Sequence, residues 1–138
     1  MLDVIIVNFN STDCLLKCLE SIFNNLCSLP VNVFVYDNAS TDNVERVDKI
    51  FPAVRVTRNS WNVGFSRAVN RALLRSEADY ILILNPDTIV SEGFSKAIEY
   101  MKKNPDVGAI GPRIMTVSYT HLRAHETVLD LVCRLLLE

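Results

Sequence analysis

From Val4 to Ile110 the chain alternates short unbroken apolar runs with longer stretches whose apolar residues recur every three or four positions. The runs suit strands buried on both faces of a parallel sheet, and the longer period suits amphipathic helices. Val4-Ile5-Ile6-Val7 ends in polar Asn8-Phe9-Asn10. Ser11, Thr12 and Asp13 then offer capping chemistry to a helix with Leu15, Leu19, Ile22 and Leu26 on one face, widened by Leu16 and Phe23. The unit repeats with a strand from Val31 to Tyr36, a polar run from Asp37 to Asp42, and a helix marked by Val44, Val47 and Ile50 and stopped by Pro52. Val54 to Thr57 predicts a third strand and Arg58 to Asn62 a loop. Gly64 opens a helix with Phe65, Ala68, Val69, Ala72 and Leu73 inward. Tyr80 to Leu84 is a fourth strand, ended where Pro86 cannot donate to a ladder. A helix from Gly93 to Lys103, with Phe94, Ala97, Ile98 and Met101 inward, precedes a last strand from Val107 to Ile110.

Strands alternating with helices define an α/β class: three layers, a mostly parallel sheet and right-handed crossovers. Ligands of such sheets bind outside the carboxyl ends of the strands. The three densest polar clusters, Asn8 to Asn10, Asp37 to Asp42 and Asn85 to Asp87, all fall at predicted strand ends. The fold therefore gathers them on one rim, which makes that rim the candidate site.

Composition narrows the partners. The 138 residues suit one domain, and 14 basic against 16 acidic side chains give a net charge of -2. No Lys/Arg cluster is present to neutralise a run of phosphates, which argues against nucleic acid but leaves a small anionic substrate open. No run approaches the ~20 apolar residues of a membrane span, and the amino terminus lacks the pattern of a secretory signal. The cytoplasm is the expected compartment, with the inner face of the membrane as an alternative. Cys14, Cys18, Cys27 and Cys133 lack paired zinc spacing. Cys14 and Cys18, one helical turn apart, are expected as small core residues.

From Val117 onward the periodicity fails. Val117 to Thr127, and again Leu131 to Leu137, resemble the translation of a transposase-type sequencing adapter. Residues 117 to 138 are therefore expected to be non-native, and His121 and His125, one turn apart, are not taken as metal ligands.

Val4-Ile5-Ile6-Val7-Asn8-Phe9-Asn10, Cys18-Leu19-Glu20-Ser21-Ile22, Val35-Tyr36-Asp37-Asn38-Ala39-Ser40-Thr41-Asp42, Asn59 through Asn70 and Leu84-Asn85-Pro86-Asp87 occur in order. With them residues 1 to 116 resemble the amino-terminal half of the family 2 glycosyltransferases, most closely the rhamnosyltransferase-like branch. The resemblance implies a GT-A-like, mostly parallel mixed sheet and a nucleoside-diphosphate sugar bound by Asn8, Phe9, Asn10, Asp37, Asn38, Asn62, Gly64, Arg67, Asn85 and Asp87. Asp37 would accept hydrogen bonds from a base N–H or ribose hydroxyl. Asn38 and Ser40 serve equally well as turn-formers. Gly64 would let the donor approach the backbone, and Arg67 pairs with a phosphate or simply faces solvent. Trp61 covers either the site or the edge of the core. Asp87 stands where many glycosyltransferases carry an Asp-x-Asp motif; it is expected to hold Mg²⁺ or Mn²⁺ with diphosphate oxygens, the alternative being a turn residue after Pro86. The acceptor would be a glycan or lipid-linked hydroxyl. The base for inverting transfer is implied in a carboxyl-terminal half that this chain does not contain. A non-catalytic nucleotide-binding module, or an inactive fragment, is the competing interpretation.

Overall fold

The computed structural model describes residues 1–26, 30–91, 94–111 and the backbone of 132–133. The elements run β1 (Leu2–Asn8), α1 (Thr12–Asn25), β2 (Val31–Asp37), α2 (Glu45–Ile50), β3 (Arg55–Arg58), α3 (Phe65–Leu73), β4 (Tyr80–Leu84), α4 (Phe94–Lys103), β5 (Ala109–Ile110) and β6 (Val132–Cys133). The sheet order is β3-β2-β1-β4-β6-β5. β1 to β4 are mutually parallel, and β6 runs antiparallel to β4 and β5. The mixed, mostly parallel sheet is the one expected. Strand order reverses at β1, which has β2 on one side and β4 on the other, so the crevice beyond β1 and β4 is the topological switch point where such sheets bind ligands.

β1 is central because it is apolar on both faces. Leu2, Val4 and Ile6 pack with Leu15, Cys18, Leu19 and Ile22 of α1, Val47 of α2, and Ile98 and Met101 of α4. Ile5 and Val7 enter a second core with Ala68, Val69 and Ala72 of α3. That division follows from the period of two along a strand. Burying each Leu or Ile side chain contributes roughly 1.5–3 kcal/mol. Asp3, on the α3 face at the far end from the rim, is buried with its carboxylate held by Asn32 Nδ2 at 2.8 Å and Ser76 Oγ at 2.6 Å.

Several details depart from the sequence pattern. Asn8 is the last residue of β1 rather than the start of the loop. β3 begins one residue later than Val54, and the last strand of the pattern is only Ala109–Ile110. Cys18 is in the core, but Cys14 is exposed. Phe65 and Ile50, expected inside, are 51% and 54% exposed. Cys14 lies to the side of the buried stripe of Thr12, Leu15, Leu19 and Ile22, and Phe65 is the first residue of α3, a turn ahead of the buried Ala68 and Val69. Ile50 ends a short helix, and next to it the Phe51 ring stacks on Phe23 at 5.6 Å. Gly93, the expected start of the last helix, lies outside the described residues, as do Cys27, His121, His125 and all of the 117–138 tail except the backbone of β6. Among the described residues no helix is long and apolar enough to cross a membrane.

Candidate functional site

Parallel pairing of Asn8 with Asp37 brings the ends of β1 and β2 level, and their side chains build a buried polar cluster. Asn8 Nδ2 donates to Asp37 Oδ1 at 2.9 Å and to Ser40 Oγ at 3.1 Å. Ser40 donates its backbone N–H to Asp37 Oδ2 at 3.0 Å and its hydroxyl to Oδ1 at 2.5 Å. A carboxylate offers roughly four lone-pair positions, so three are used inside the protein and one on Oδ2 remains. Asn8 Oδ1 is buried without a partner.

The two turns that follow these strands are laced together. Asn10 N donates to Ser40 Oγ at 2.9 Å, and Thr41 N donates back to Asn10 Oδ1 at 2.8 Å. Both turns hold a residue in the left-handed region, Asn10 at φ 50° and Ala39 at φ 61°. Asn tolerates that conformation, while at Ala39 it costs about 1 kcal/mol that the surrounding bonds must offset. Asn38 is buried, donating its N–H to Asn8 O and accepting from Asn59 Nδ2 at 2.9 Å, and Arg71 Nη1 in turn donates to Asn59 Oδ1. None of Ser11, Thr12 and Asp13 caps α1 through its side chain as expected: the Ser11 hydroxyl bonds to Phe9 O, and the α1 cap is the Asp42 carboxylate, accepting from Thr12 N at 2.7 Å.

Beside this cluster, Asp37, Ala39, Ser40, Asp42, Glu45, Arg58 and Asn59 line an open cleft of about 480 Å³. Arg58 is ion-paired to Asp48 at its edge. A smaller cleft of about 130 Å³ runs past Asn59, Trp61 and Arg71. Trp61 is 65% exposed, so it covers little of the core, and Phe9 projects from the end of β1 into solvent.

Asn62 Oδ1 accepts the Gly64 N–H at 2.9 Å, turning the chain into α3. Gly64 has φ +83° and ψ 162°, a conformation open essentially only to glycine. A Cβ there would meet no protein atom within 4 Å, and the backbone conformation by itself already calls for glycine. Gly64→Ala is expected to lose about 1–3 kcal/mol through backbone strain, read from the urea midpoint, and an unchanged midpoint would count against this. Arg67 lies exposed one turn further on.

Across β1, Ile6 pairs with Leu84, so the segment after β4 emerges beside Asn8. Asn85 and Asp87 are exposed there. The Cys18 thiol donates weakly to Asn85 O at 3.8 Å. Burial first, and the negative charge of Asp87 second, push this thiol from 9.0 up to about 12. Since the folded state keeps the proton to higher pH than the unfolded chain, the stability this contributes is complete below about pH 9 and lost as pH rises towards 12. Chemical denaturation of Cys18→Ala should therefore show a shallower loss of stability above pH 9 than the unaltered chain.

The structure thus joins Asn8, Asn10, Asp37 and Asn38 in one network and Asn62 with Gly64 in a second, while Phe9, Arg67, Asn85 and Asp87 stand exposed around the rim. Asp42, Asn59 and Arg71 were absent from the expected site residues, although Asp42 and Asn59 sit inside the motifs. Among the described residues no three His, Cys, Asp or Glu side chains converge as metal ligands.

Fold and rim together define an α/β domain of the GT-A glycosyltransferase type. The chain belongs to glycosyl transferase family 2, which it matches over residues 3–129. The N-acetylglucosaminyl-diphospho-decaprenol L-rhamnosyltransferase of Mycobacterium tuberculosis is 31% identical over 98 residues, 62% of this chain and 32% of its own length. The amylovoran biosynthesis glycosyltransferase AmsE of Erwinia amylovora is 28% identical over 104 residues, 72% of this chain and 39% of its own. The chain spans about a third of the length of the curated relatives it matches. Two solved structures share the fold. The mannosyltransferase PcManGT from Pyrobaculum calidifontis, in complex with GDP-Man and Mn²⁺, superposes with a TM-score of 0.72 at 21% identity, covering 83% of this chain and 35% of its own. TarS 1-349 of S. aureus, in complex with UDP-GlcNAc, gives 0.72 at 18% identity, covering 89% and 37%.

Proposed function

We propose that residues 1 to 116 form the donor-binding part of an inverting glycosyltransferase that moves a sugar from a nucleoside-diphosphate sugar to a hydroxyl acceptor in surface glycan synthesis. The observation that carries this is the placement, in a family 2 chain, of the Asn8–Asp37 cluster and the exposed Asp87 on either side of the switch-point crevice. The free lone pair of Asp37 suits a base N–H or ribose hydroxyl, and Asn8, Asn10 and Asn38 hold Asp37 and its turn in place. The exposed Phe9 ring offers a stacking surface. Asn62 and Gly64 shape the entry to α3, where free N–H groups and Arg67 favour an anion such as the diphosphate.

Asp87 fits a hard divalent cation, Mg²⁺ or Mn²⁺, as an exposed carboxylate whose remaining ligands would be diphosphate oxygens and water, and Asn85 O accepts the Thr88 N–H of the turn around it. When bound, the ion would offset charge developing on the leaving diphosphate. PcManGT, solved with GDP-Man and Mn²⁺, and the decaprenol-linked acceptor in the name of the mycobacterial relative support this chemistry by analogy. A glycan or lipid-linked acceptor, an acidic base supplied by a carboxyl-terminal half, and a location in the cytoplasm at the inner face of the membrane complete the proposal. Residues 117 to 138 stand outside it as a non-native tail.

Calorimetric titration of the 138-residue chain with UDP and dTDP, each with and without Mn²⁺, tests the proposal. Saturable binding strengthened by Mn²⁺ is the expected result. A folded chain that binds neither nucleotide would overturn it.

A further inference from the structure

The α1 amino terminus is the end of a 14-residue helix whose first turn faces the candidate site. Such an end attracts anions, and here it already holds one: Asp42, thirty positions away in sequence, accepts the Thr12 N–H at 2.7 Å. The contact is long-range and enclosed. Thr12 is buried, and both the second Asp42 oxygen, Oδ1, and the Thr12 hydroxyl are shut off from solvent without partners. Asp42 therefore has little means of satisfying its carboxylate except through the start of α1. It is also the last of a series of cross-links between the same two turns, after Asn38 N to Asn8 O, Asn10 N to Ser40 Oγ and Thr41 N to Asn10 Oδ1. Arg46 and Asp13, paired at 2.6 Å, extend the series onto α2, but at an exposed position where an ion pair contributes little.

We propose that Asp42 is a positioning residue for the nucleotide: by capping α1 from the opposite turn it locks Asn8, Phe9 and Asn10 in register with Asp37 to Thr41. Each of the two turns holds one residue in the left-handed region, Asn10 and Ala39, and at Ala39 backbone preference alone does not keep that shape. The cap closes the far end of the laced segment. Losing it frees the turn after β1 to relax, which misplaces Phe9 and Asn10 without touching the strands. A second consequence is that this helix end is taken, so the diphosphate must be met elsewhere on the rim. The proposal rests on the donor-binding role of the rim.

The test compares Asp42→Ala and Asp42→Asn with the unaltered chain. UDP affinity is measured by calorimetry, and amide hydrogen exchange is measured without nucleotide. Asn keeps an acceptor oxygen for Thr12 N but carries no charge, so it separates the cap from a direct ionic contact with ligand or metal. The expected result is at least a ten-fold loss of UDP affinity in Asp42→Ala, recovered to within about three-fold in Asp42→Asn. Exchange should accelerate at Asn10 and Thr12 in Asp42→Ala but not at α3 amides, a local change that a general loss of stability would not produce. Unchanged UDP affinity in Asp42→Ala overturns the proposal, as does an Asp42→Asn variant no better than Asp42→Ala. Absence of UDP binding by the unaltered chain would overturn the donor-binding role itself, while the exchange data would still decide whether the lock exists.

Discussion

Asn8→Asp should be the most damaging single-atom exchange in this domain. Asn8 is fully buried, and its Nδ2 donates to both Asp37 and Ser40; the substitution replaces that donor with an oxygen facing the Asp37 carboxylate. Two carboxylates enclosed at this distance cannot both stay ionised, and a buried charge left uncompensated costs about 3–5 kcal/mol. That is a large share of the roughly 5–15 kcal/mol that holds a domain together. Urea denaturation of the variant beside the unaltered chain measures this. A variant as stable as the unaltered chain would show that the cluster does not depend on the Asn8 donor.

Asp87→Ala should abolish the Mn²⁺-dependent part of UDP binding while leaving the fold intact. Asp87 is exposed, so truncating it removes no packing. The ion would bind through one protein carboxylate and the diphosphate, so without Asp87 calorimetry should give the same weak UDP affinity with and without metal, at least ten-fold below the metal-bound value. Retained metal dependence would assign the ion to other ligands. An unchanged melting temperature distinguishes this effect from the destabilisation expected of Asn8→Asp.

Which parts of this architecture could be read from the chain follows from the range of the forces involved. β1 and β4 are legible because a buried strand writes an unbroken apolar run, β2 because its β-branched and aromatic residues are interrupted only by Asn32, and α1 and α3 because burial repeats along one helix face. The rim followed from topology alone, since parallel strands must end together. The helix period gave the right phase for Phe65 but not its exposure at the first residue of α3, and Cys14 sits at the side of the buried α1 stripe. The ordering of the site was less legible. Asn8 to Asp37, Asp42 to Thr12 and Arg71 to Asn59 are bonds between segments distant in sequence, and no local propensity encodes them. At Gly64 the structure adds a reason that no local pattern shows, the positive φ at which the chain enters α3.

The central position of β1 has a consequence for how the chain is made. β1 is synthesised before both of its neighbours, pairing with β2 once Val31 to Asp37 exist but with β4 only after Tyr80 to Leu84. During that interval one edge of its backbone and much of its apolar surface have no native cover. The β1-α1-β2 unit can close early through nearby contacts, whereas docking of β4 must wait for a long loop to close. A nascent chain stalled before Tyr80 would thus present an adhesive strand, and would be the species on which chaperones act.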